Sequence, residues 1–270
     1  MPEDKIALAV GAHPDDVEFM MAGTLSLLKK KGWEIHILTV GNGSCGTAEY
    51  DAETIVRMRR QEAINAAVVI GATYHPGLVP DIEILYDLPT LRKVTAIVRK
   101  IAPNLVFTHP PSDYMEDHQN TCRLVVSACF CRGMRNWVSD PEIPPTAQDV
   151  YLYHANPHSN RDALRRIVIP EIYIDVTSEV ETKADMLRCH ESQKNWLDVS
   201  QGMDSYLITM KDICAQLAQM SGREGCEYAE GFRRHSHLGF SGADRDRLAE
   251  ELSDYVTVNA EYEKYLDTLT

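Results

Sequence analysis

The sequence predicts an α/β protein in which a mostly parallel β-sheet carries helices on both faces. Short apolar runs alternate along the chain with longer segments whose apolar residues recur at helical spacing. Apolar runs without polar alternation are typical of strands buried on both faces, as in parallel sheets. A chain of 270 residues can bury a substantial core, and its length fits one α/β domain as well as two. Ligands should bind at the carboxyl ends of its strands.

Each element rests on a local signal. Ile6–Val10 is a compact apolar run that predicts the first strand. The helix after it should end at Gly32, because the basic run before that glycine suits the negative end of a helix dipole. Further strands are predicted at residues 34–40, 73–75, 104–108, 151–153 and 172–174. Helices are predicted at residues 17–31, 52–70, 88–101, about 117–131, 178–192 and 203–221.

The C-terminal segment, from Ala243 onward, has apolar residues at alternating steps of four and three, which indicates a helix with a coiled-coil-like stripe. The run Val256–Val258 is unfavourable in such a helix because its side chains are β-branched. A helix packed on its own domain explains the stripe better than an oligomer seam does, and a homo-oligomer stays open. The stripe residues are Leu248, Leu252, Tyr255, Asn259, Tyr262, Leu266 and Leu269.

Composition argues against several classes of partner. Lys+Arg number 27 against Asp+Glu 40, so the net charge of −13 disfavours nucleic acid and anionic membranes. No apolar run approaches the length of a membrane span, and the acidic start Met1–Asp4 is unlike a signal peptide. We therefore expect a cytoplasmic protein that acts on a small molecule, with its seven cysteines as free thiols.

One cluster of reactive side chains, Ala12-His13-Pro14-Asp15-Asp16, stands where the first strand should turn into a helix. Pro14 fixes its own φ and keeps His13 out of the helical region. A helix start favours negative charge, but a cap needs only one aspartate. Two aspartates and a histidine at the carboxyl end of a strand indicate a metal site with a base beside it.

A second cluster follows the strand at 104–108 and opens at the same sheet edge. It spans His109-Pro110-Pro111-Ser112-Asp113-Tyr114-Met115-Glu116-Asp117-His118. A catalytic zinc ion takes three protein ligands and keeps one position for water, and His13, Asp16 and His118 supply such a set. Asp15, next to a ligand, is then free to act as general base, and Asp117 to orient a ring. The alternative is that the aspartates cap a helix and the histidines are unrelated.

The stretch Gly41–Gly46 spells G-x-G-x-x-G, the fingerprint of a dinucleotide site. That fingerprint belongs after the first strand and opens a helix at once, whereas this stretch follows the second strand and leads into a polar segment. We therefore interpret it as a loop beside the mouth of the active site. A nucleotide-binding protein without a metal stays the alternative.

The two clusters together resemble the PIG-L family, also called LmbE-like, of zinc-dependent N-deacetylases. The resemblance runs along most of the chain and implies a Rossmann-like fold in a single domain over residues 1–270. It implies metal ligands at His13, Asp16 and His118, and a general base at Asp15. Further matching features are Arg59-x-x-Glu62, Ala66-Ala67, Gly71, Asp81, Asp175, Lys183, His190-x-Ser192-Gln193 and Tyr228-Ala229-Glu230-x-Phe232.

The resemblance implies removal of an N-acetyl group from an N-acetylglucosamine-type amino sugar or a related small molecule, with Arg59 and Asp81 as substrate contacts. Zinc is the implied metal, although two histidines and a carboxylate also suit ferrous iron or another divalent ion. The alternatives for the two contacts are an ion pair of Arg59 with Glu62 and a turn role for Asp81.

One departure from the family concerns proton transfer. Many members carry a histidine three residues before the last ligand, where this chain has Met115, which cannot donate a proton. His109, Asp113, Tyr114 and Asp117 are candidates for the acid or for support of the metal ligands. The departure also leaves two alternatives open, namely an amide hydrolase acting on a non-sugar substrate and a metal-retaining binding protein with reduced turnover.

Overall fold

One eight-stranded sheet runs through the part of the chain that the computed structural model describes, residues 5–194 and 206–268. Its strands are β1 (Ile6–Gly11), β2 (Glu34–Thr39), β3 (Thr73–His75), β4 (Leu105–Thr108), β5 (Tyr151–Ala155), β6 (Ile172–Asp175), β7 (Ala229–Arg234) and β8 (Val256–Val258). Its helices are α1 (Asp16–Met20), α2 (Ala22–Lys30), α3 (Ala52–Val69), α4 (Leu88–Ile101), α5 (Glu116–Cys131), α6 (Val180–Arg188), α7 (Tyr206–Ser221), α8 (Arg247–Glu251) and α9 (Ala260–Thr268). Two short 3₁₀ turns lie at His158–Asn160 and Thr177–Glu179.

The sheet has a parallel half and an antiparallel half. Its strand order is β3-β2-β1-β4-β5-β7-β6-β8. Neighbouring strands from β3 to β5 are parallel, and β7, β6 and β8 extend the sheet in antiparallel pairing. The predicted class, a largely parallel sheet with helices on both faces, is confirmed. The strands β7 and β8 were not predicted.

Apolar clusters fill the space on both faces of the sheet. The larger one packs side chains of α1, α2, α3, α6 and α7 against one face. The other packs α4 and α5 against the opposite face. The central strands β1 and β4 contribute alternate residues to the two clusters, for example Ala7 to one and Leu8 to the other, because successive strand side chains point to opposite faces.

Two predicted helices are wrong in part. The helix at 17–31 is divided at Met21, whose φ of −144° is not helical. The C-terminal stripe is interrupted by β8, which pairs with the edge of β6. The β-branched residues that weakened the stripe as a helix are the ones that form this strand. Residues 203–205 of the predicted helix and Leu269 of the stripe lie outside the described residues.

None of the helices in the described ranges combines the length and apolar character that a membrane crossing requires. All seven cysteines are free thiols, as expected, and Cys45 is exposed.

A buried ion pair joins the antiparallel half to the helices. The Glu230 carboxylate on β7 is 1% exposed and accepts hydrogen bonds from the backbone N–H groups of Gly23 and Thr24. It also accepts from Nζ of Lys183, which is fully buried on α6, at 2.5 Å. One carboxylate therefore neutralises a buried ammonium and satisfies the first N–H groups of α2.

We expect Glu230→Ala to lower the free energy of unfolding by about 3–5 kcal/mol, because it leaves the Lys183 charge buried without a partner. Urea unfolding measures the change. Glu181→Ala is the matched control, since Glu181 pairs with Lys211 at the surface and should matter little. Equal stability of the two variants would contradict the prediction.

Candidate active site

The site forms where β1 and β4 end, because these parallel strands are neighbours and their carboxyl ends meet at one edge of the sheet. The chain leaving β1 carries His13 and Asp16, and the chain leaving β4 runs into α5, whose first turn carries His118. A cross-link fixes the two exits together, since the Ala12 N–H lies 2.9 Å from Nε2 of His109, which is fully buried.

The structure brings His13, Asp16 and His118 together, with ligand atoms within 4.8 Å of one another. Asp16 Oδ1 lies 3.4 Å from His118 Nε2, and Asp16 Oδ2 lies 3.6 Å from His13 Nδ1. His118 Nε2 is buried without a hydrogen-bond partner. Because a buried polar atom normally has one, this nitrogen fits a metal ligand better than a structural histidine.

Two carboxylates hold the other ring nitrogens of these histidines. Asp117 Oδ2 lies 2.9 Å from His13 Nε2, and Asp113 Oδ1 lies 3.0 Å from His118 Nδ1. Metal-binding histidines usually donate their second N–H to such a carboxylate, which fixes the ring and increases its basicity. The donor set therefore fits a divalent cation, and Asp113 and Asp117 have a physical role beside it.

His109 occupies a different place from the other candidates. Its ring stacks on that of His118 at a centroid distance of 4.0 Å, and its Nε2 lies 3.2 Å from Asp16 Oδ2. A second cluster with metal-ligand spacing joins His109, Asp113 and His118, all of them buried. Only His118 of this cluster lines the cavity, so the cluster with His13 and Asp16 is the one that substrate can reach.

Charge is balanced within the cluster. Burial opposes ionisation of Asp16, yet the imidazoles of His118 and His109 hold its pKa well below the usual range. Burial by itself would lower the pKa of His13 and of His118, but hydrogen bonds and nearby carboxylates outweigh this effect. Hydrogen bonds to Asp117 and Asp16 raise the pKa of His13 to about 9, and Asp16 and Asp113 raise that of His118 to about 10. The site is therefore built to hold positive charge.

Asp15 stands apart from the metal-ligand set and faces the cavity. Its φ of 116° is a strained conformation for a residue with a side chain. Its Oδ2 accepts a hydrogen bond from the Tyr206 hydroxyl at 2.7 Å and lies 3.5 Å from Nη2 of Arg59. Burial raises its pKa, which Arg59 opposes.

The two predicted substrate contacts both line the cavity but differ in their partners. Arg59 is 3% exposed, and its Nη2 donates to the Pro14 carbonyl, while its Nε has no hydrogen-bond partner. Both carboxylate oxygens of Asp81 accept loop N–H groups, from Gly43 at 2.7 Å and Cys45 at 3.0 Å. Asp81 thus holds the Gly41–Gly46 loop at the cavity wall, and its contact with substrate stays a prediction.

The cavity has a volume of about 400 Å³. Apolar side chains of Phe19, Met20, Ile82 and Met115 form part of its wall. Tyr114, which is 53% exposed, also borders it with its ring edge towards His118 at a centroid distance of 5.5 Å. Burial raises the pKa of Tyr114, and nearby carboxylates add to the effect.

Three further cavity residues, His158, Gln193 and Tyr206, had no predicted contact with the site. His158 follows β5, and its arrival at the cavity depends on the pairing of β5 with β4. The one signal available was the position of His158 just beyond the carboxyl end of a predicted strand. Tyr206 comes from α7, whose place over the site no local spacing reveals.

Residues 8–129 match the family model described as PIG-L, GlcNAc-PI de-N-acetylase. The resemblance to the PIG-L family is confirmed. The matched region contains the four residues of the predicted metal and base set, together with Arg59 and Asp81. The later PIG-L features, from Asp175 onward, lie beyond it.

Two curated relatives of this chain have different activities in their names. Diacetylchitobiose deacetylase from Thermococcus kodakarensis is 27% identical over 239 residues, or 85% of this chain and 82% of that protein. The 4-oxalmesaconate hydratase of Pseudomonas putida is 25% identical over 202 residues, or 71% of this chain and 75% of that protein.

Two solved structures of the same fold are likewise named as a deacetylase and a hydratase. N,N′-diacetylchitobiose deacetylase from Pyrococcus horikoshii superimposes with a TM-score of 0.72 at 22% identity, covering 90% of this chain and 88% of that one. The 4-carboxy-2-hydroxymuconate hydratase from Pseudomonas putida gives a TM-score of 0.72 at 21% identity, covering 90% and 99%. At these identities the likeness establishes the fold.

We expect Asp113→Asn and Asp117→Asn each to weaken zinc binding by about 10–100-fold, because each removes a carboxylate that orients a ligand ring. Competition with a chromophoric chelator measures the dissociation constant. Asp185→Asn is the control, because the Asp185 side chain is 59% exposed on α6. Unchanged affinity in both site variants would show that these carboxylates do not support the metal.

Proposed function

We propose that this protein is a metal-dependent hydrolase that removes an N-acetyl group from an N-acetylglucosamine-type amino sugar. The observation that carries the proposal is the buried, unpartnered Nε2 of His118 facing Asp16 and His13, with the Asp15 carboxylate beside this set at the cavity. The family description names a GlcNAc compound, and the 27% identical relative is named for an acetylated chitobiose.

His13, Asp16 and His118 would hold the metal. When bound, a divalent cation supplies Lewis acidity, which makes water more acidic and stabilises negative charge on the acyl oxygen. Zinc is our proposed ion, with ferrous iron as the alternative for this donor set. Asp113 and Asp117 keep the two rings oriented, so that little reorganisation accompanies the reaction.

Asp15 accepts the proton of the attacking water. Its raised pKa suits this role, because a general base works best when its pKa lies near the operating pH. The hydrogen bond from Tyr206 and the nearby guanidinium of Arg59 fix the carboxylate in place. The unpaired Nε and buried charge of Arg59 also make this side chain a candidate to bind a polar group of the substrate.

We expect the zinc-loaded protein to release acetate from N-acetylglucosamine or N,N′-diacetylchitobiose, and a chelator to abolish release. Enzymatic assay of acetate measures both. Release that is insensitive to chelator contradicts the metal mechanism. Release from simple N-acetyl amides but from neither sugar would favour the non-sugar amide hydrolase.

We expect Asp15→Asn to lower kcat by about 10²–10⁴-fold, the usual contribution of a general base, with the zinc content unchanged. Steady-state kinetics and metal analysis check the two parts. Asp212→Asn, on the exposed side of α7, is the control. Turnover of Asp15→Asn at the parental rate would show that another group takes the proton. Zinc binding by the wild type without turnover of any substrate would indicate a binding protein.

A hydratase that adds water to an unsaturated carboxylate is the second candidate. The 25% identical relative is named 4-oxalmesaconate hydratase, and the buried guanidinium of Arg59 at the cavity suits a carboxylate group. Loss of ultraviolet absorbance from a conjugated dicarboxylic enol, without acetate release from any amide, would favour this function over deacetylation.

A further inference from the structure

Amide hydrolysis requires a proton donor for the leaving nitrogen, and the histidine that resembling proteins carry for this purpose is replaced here by Met115. The amine leaves as a neutral group only if its nitrogen gains a proton as the C–N bond breaks. Asp15 is engaged with the water proton, and Met115, at the start of α5 on the cavity wall, has no proton to give. A separate donor that faces the leaving nitrogen would spare Asp15 from having to return the proton that it took from water.

The candidates named from the sequence do not fill this position. His109 is fully buried behind the ring of His118 and does not line the cavity. Tyr114 is at the cavity, but burial and nearby carboxylates raise its pKa, which makes the phenol a weaker acid. Asp113 and Asp117 are occupied by the rings of His118 and His13.

Among the described residues, three histidines line the cavity, and two of them are the proposed metal ligands His13 and His118. The third is His158. Its ring lies between two aromatic side chains, at centroid distances of 5.2 Å from Phe19 and 6.2 Å from Tyr114. No described residue forms a hydrogen bond with this imidazole, so its N–H is available to a ligand in the cavity.

We infer that His158 is the proton donor to the leaving nitrogen, in the place of the histidine that this chain lacks at Met115. The inference rests on the proposed deacetylase function and extends it to the second half of the proton transfer. His158 comes from the turn after β5, a different part of the chain from α5. The metal-ligand set and the acid are therefore held by separate elements.

The backbone that carries His158 is built to hold it. Ser159 and Asn160 both have positive φ, 66° and 54°, a conformation that costs free energy in residues with side chains. The buried Asn160 stabilises it: its Oδ1 accepts from Asn156 Nδ2 at 3.1 Å, and its Nδ2 donates to the Ile213 carbonyl at 3.2 Å. A strained turn held by two buried asparagines is typical of a segment that positions a functional group.

In the hydrolysis step, the water oxygen forms a bond to the acyl carbon, and one of the two water protons passes to Asp15. The C–N bond breaks with its electron pair remaining on nitrogen, which takes a proton from the imidazolium of His158. The second water proton stays on the acyl oxygen until acetic acid ionises, so the products are the amine and acetate. Asp15 releases its proton to solvent, and His158 regains a proton from solvent.

The surroundings of His158 suit proton donation. Burial lowers the pKa of this imidazole, and the carboxylates of Asp16 and Asp113 oppose that effect. A lowered pKa makes the imidazolium a stronger acid than one in water.

The test compares substrates whose leaving groups differ in their need for a proton. We expect His158→Gln to lower kcat/KM for N-acetylglucosamine by about 10²–10⁴-fold. For p-nitrophenyl acetate we expect a change of less than about 3-fold, because p-nitrophenolate departs without protonation. His237→Gln, a partly buried histidine outside the cavity, is the matched control and should leave both rates unchanged.

An equal loss on both substrates would indicate a structural role and overturn the proposal, as would no loss on either. If the wild-type protein releases no acetate from amino sugars, the proposed function fails separately. In that case, ¹⁵N NMR of the zinc-loaded protein with and without acetohydroxamate tests whether the His158 ring faces a ligand bound in the cavity. We expect a shift of the His158 ring resonances, and unchanged resonances would overturn the inference.

Discussion

The parallel pairing of β1 with β4 is the contact on which the site depends. It places Val10 opposite Thr108, so that the chain turns away from the sheet at two adjacent points. The hydrogen bond between the Ala12 N–H and the His109 imidazole then fixes one exit to the other inside the protein, away from water. Residues separated by about a hundred positions in the chain become neighbours because the strands that precede them are neighbours.

Burial of this much charge is costly unless each group has a partner. Asp16 faces two imidazoles, and each ligand histidine has a second carboxylate on its far side. Asp15 has Arg59 and Tyr206. The same principle operates away from the site, where Glu230 neutralises Lys183. Within the described residues, Nε2 of His118 and Nε of Arg59 form no hydrogen bond, and both side chains line the cavity. A metal or a substrate bound in the cavity would supply the partner of each.

The sequence allowed the parallel half of the sheet and the meeting of His13, Asp16 and His118 to be predicted, because it shows local patterns and places them at two strand exits. Buried strands are continuous apolar runs, and His13 and Asp16 are three residues apart. The antiparallel half was harder. The stripe that includes Leu248 and Leu252 has helical spacing, yet pairing with β6 decides the conformation of Val256–Val258. His158 and Tyr206 reach the cavity through tertiary packing, and no spacing in the chain connects them to the motif. The depth of His109 could likewise not be read from its position at a strand exit.

Two strained backbone segments border the same cavity. Asp15 has a φ of 116° at the end of one exit loop, and Ser159 and Asn160 have positive φ in the turn that carries His158. Each segment is held by side chains anchored in the core, Tyr206 for the first and Asn156 for the second. Different surroundings matter because a base and an acid that act on one substrate must keep different protonation states. Asp15 lies beside the guanidinium of Arg59, whereas the ring of His158 lies between Phe19 and Tyr114. A charged neighbour at Asp15 and aromatic neighbours at His158 thus give the two groups different electrostatic environments.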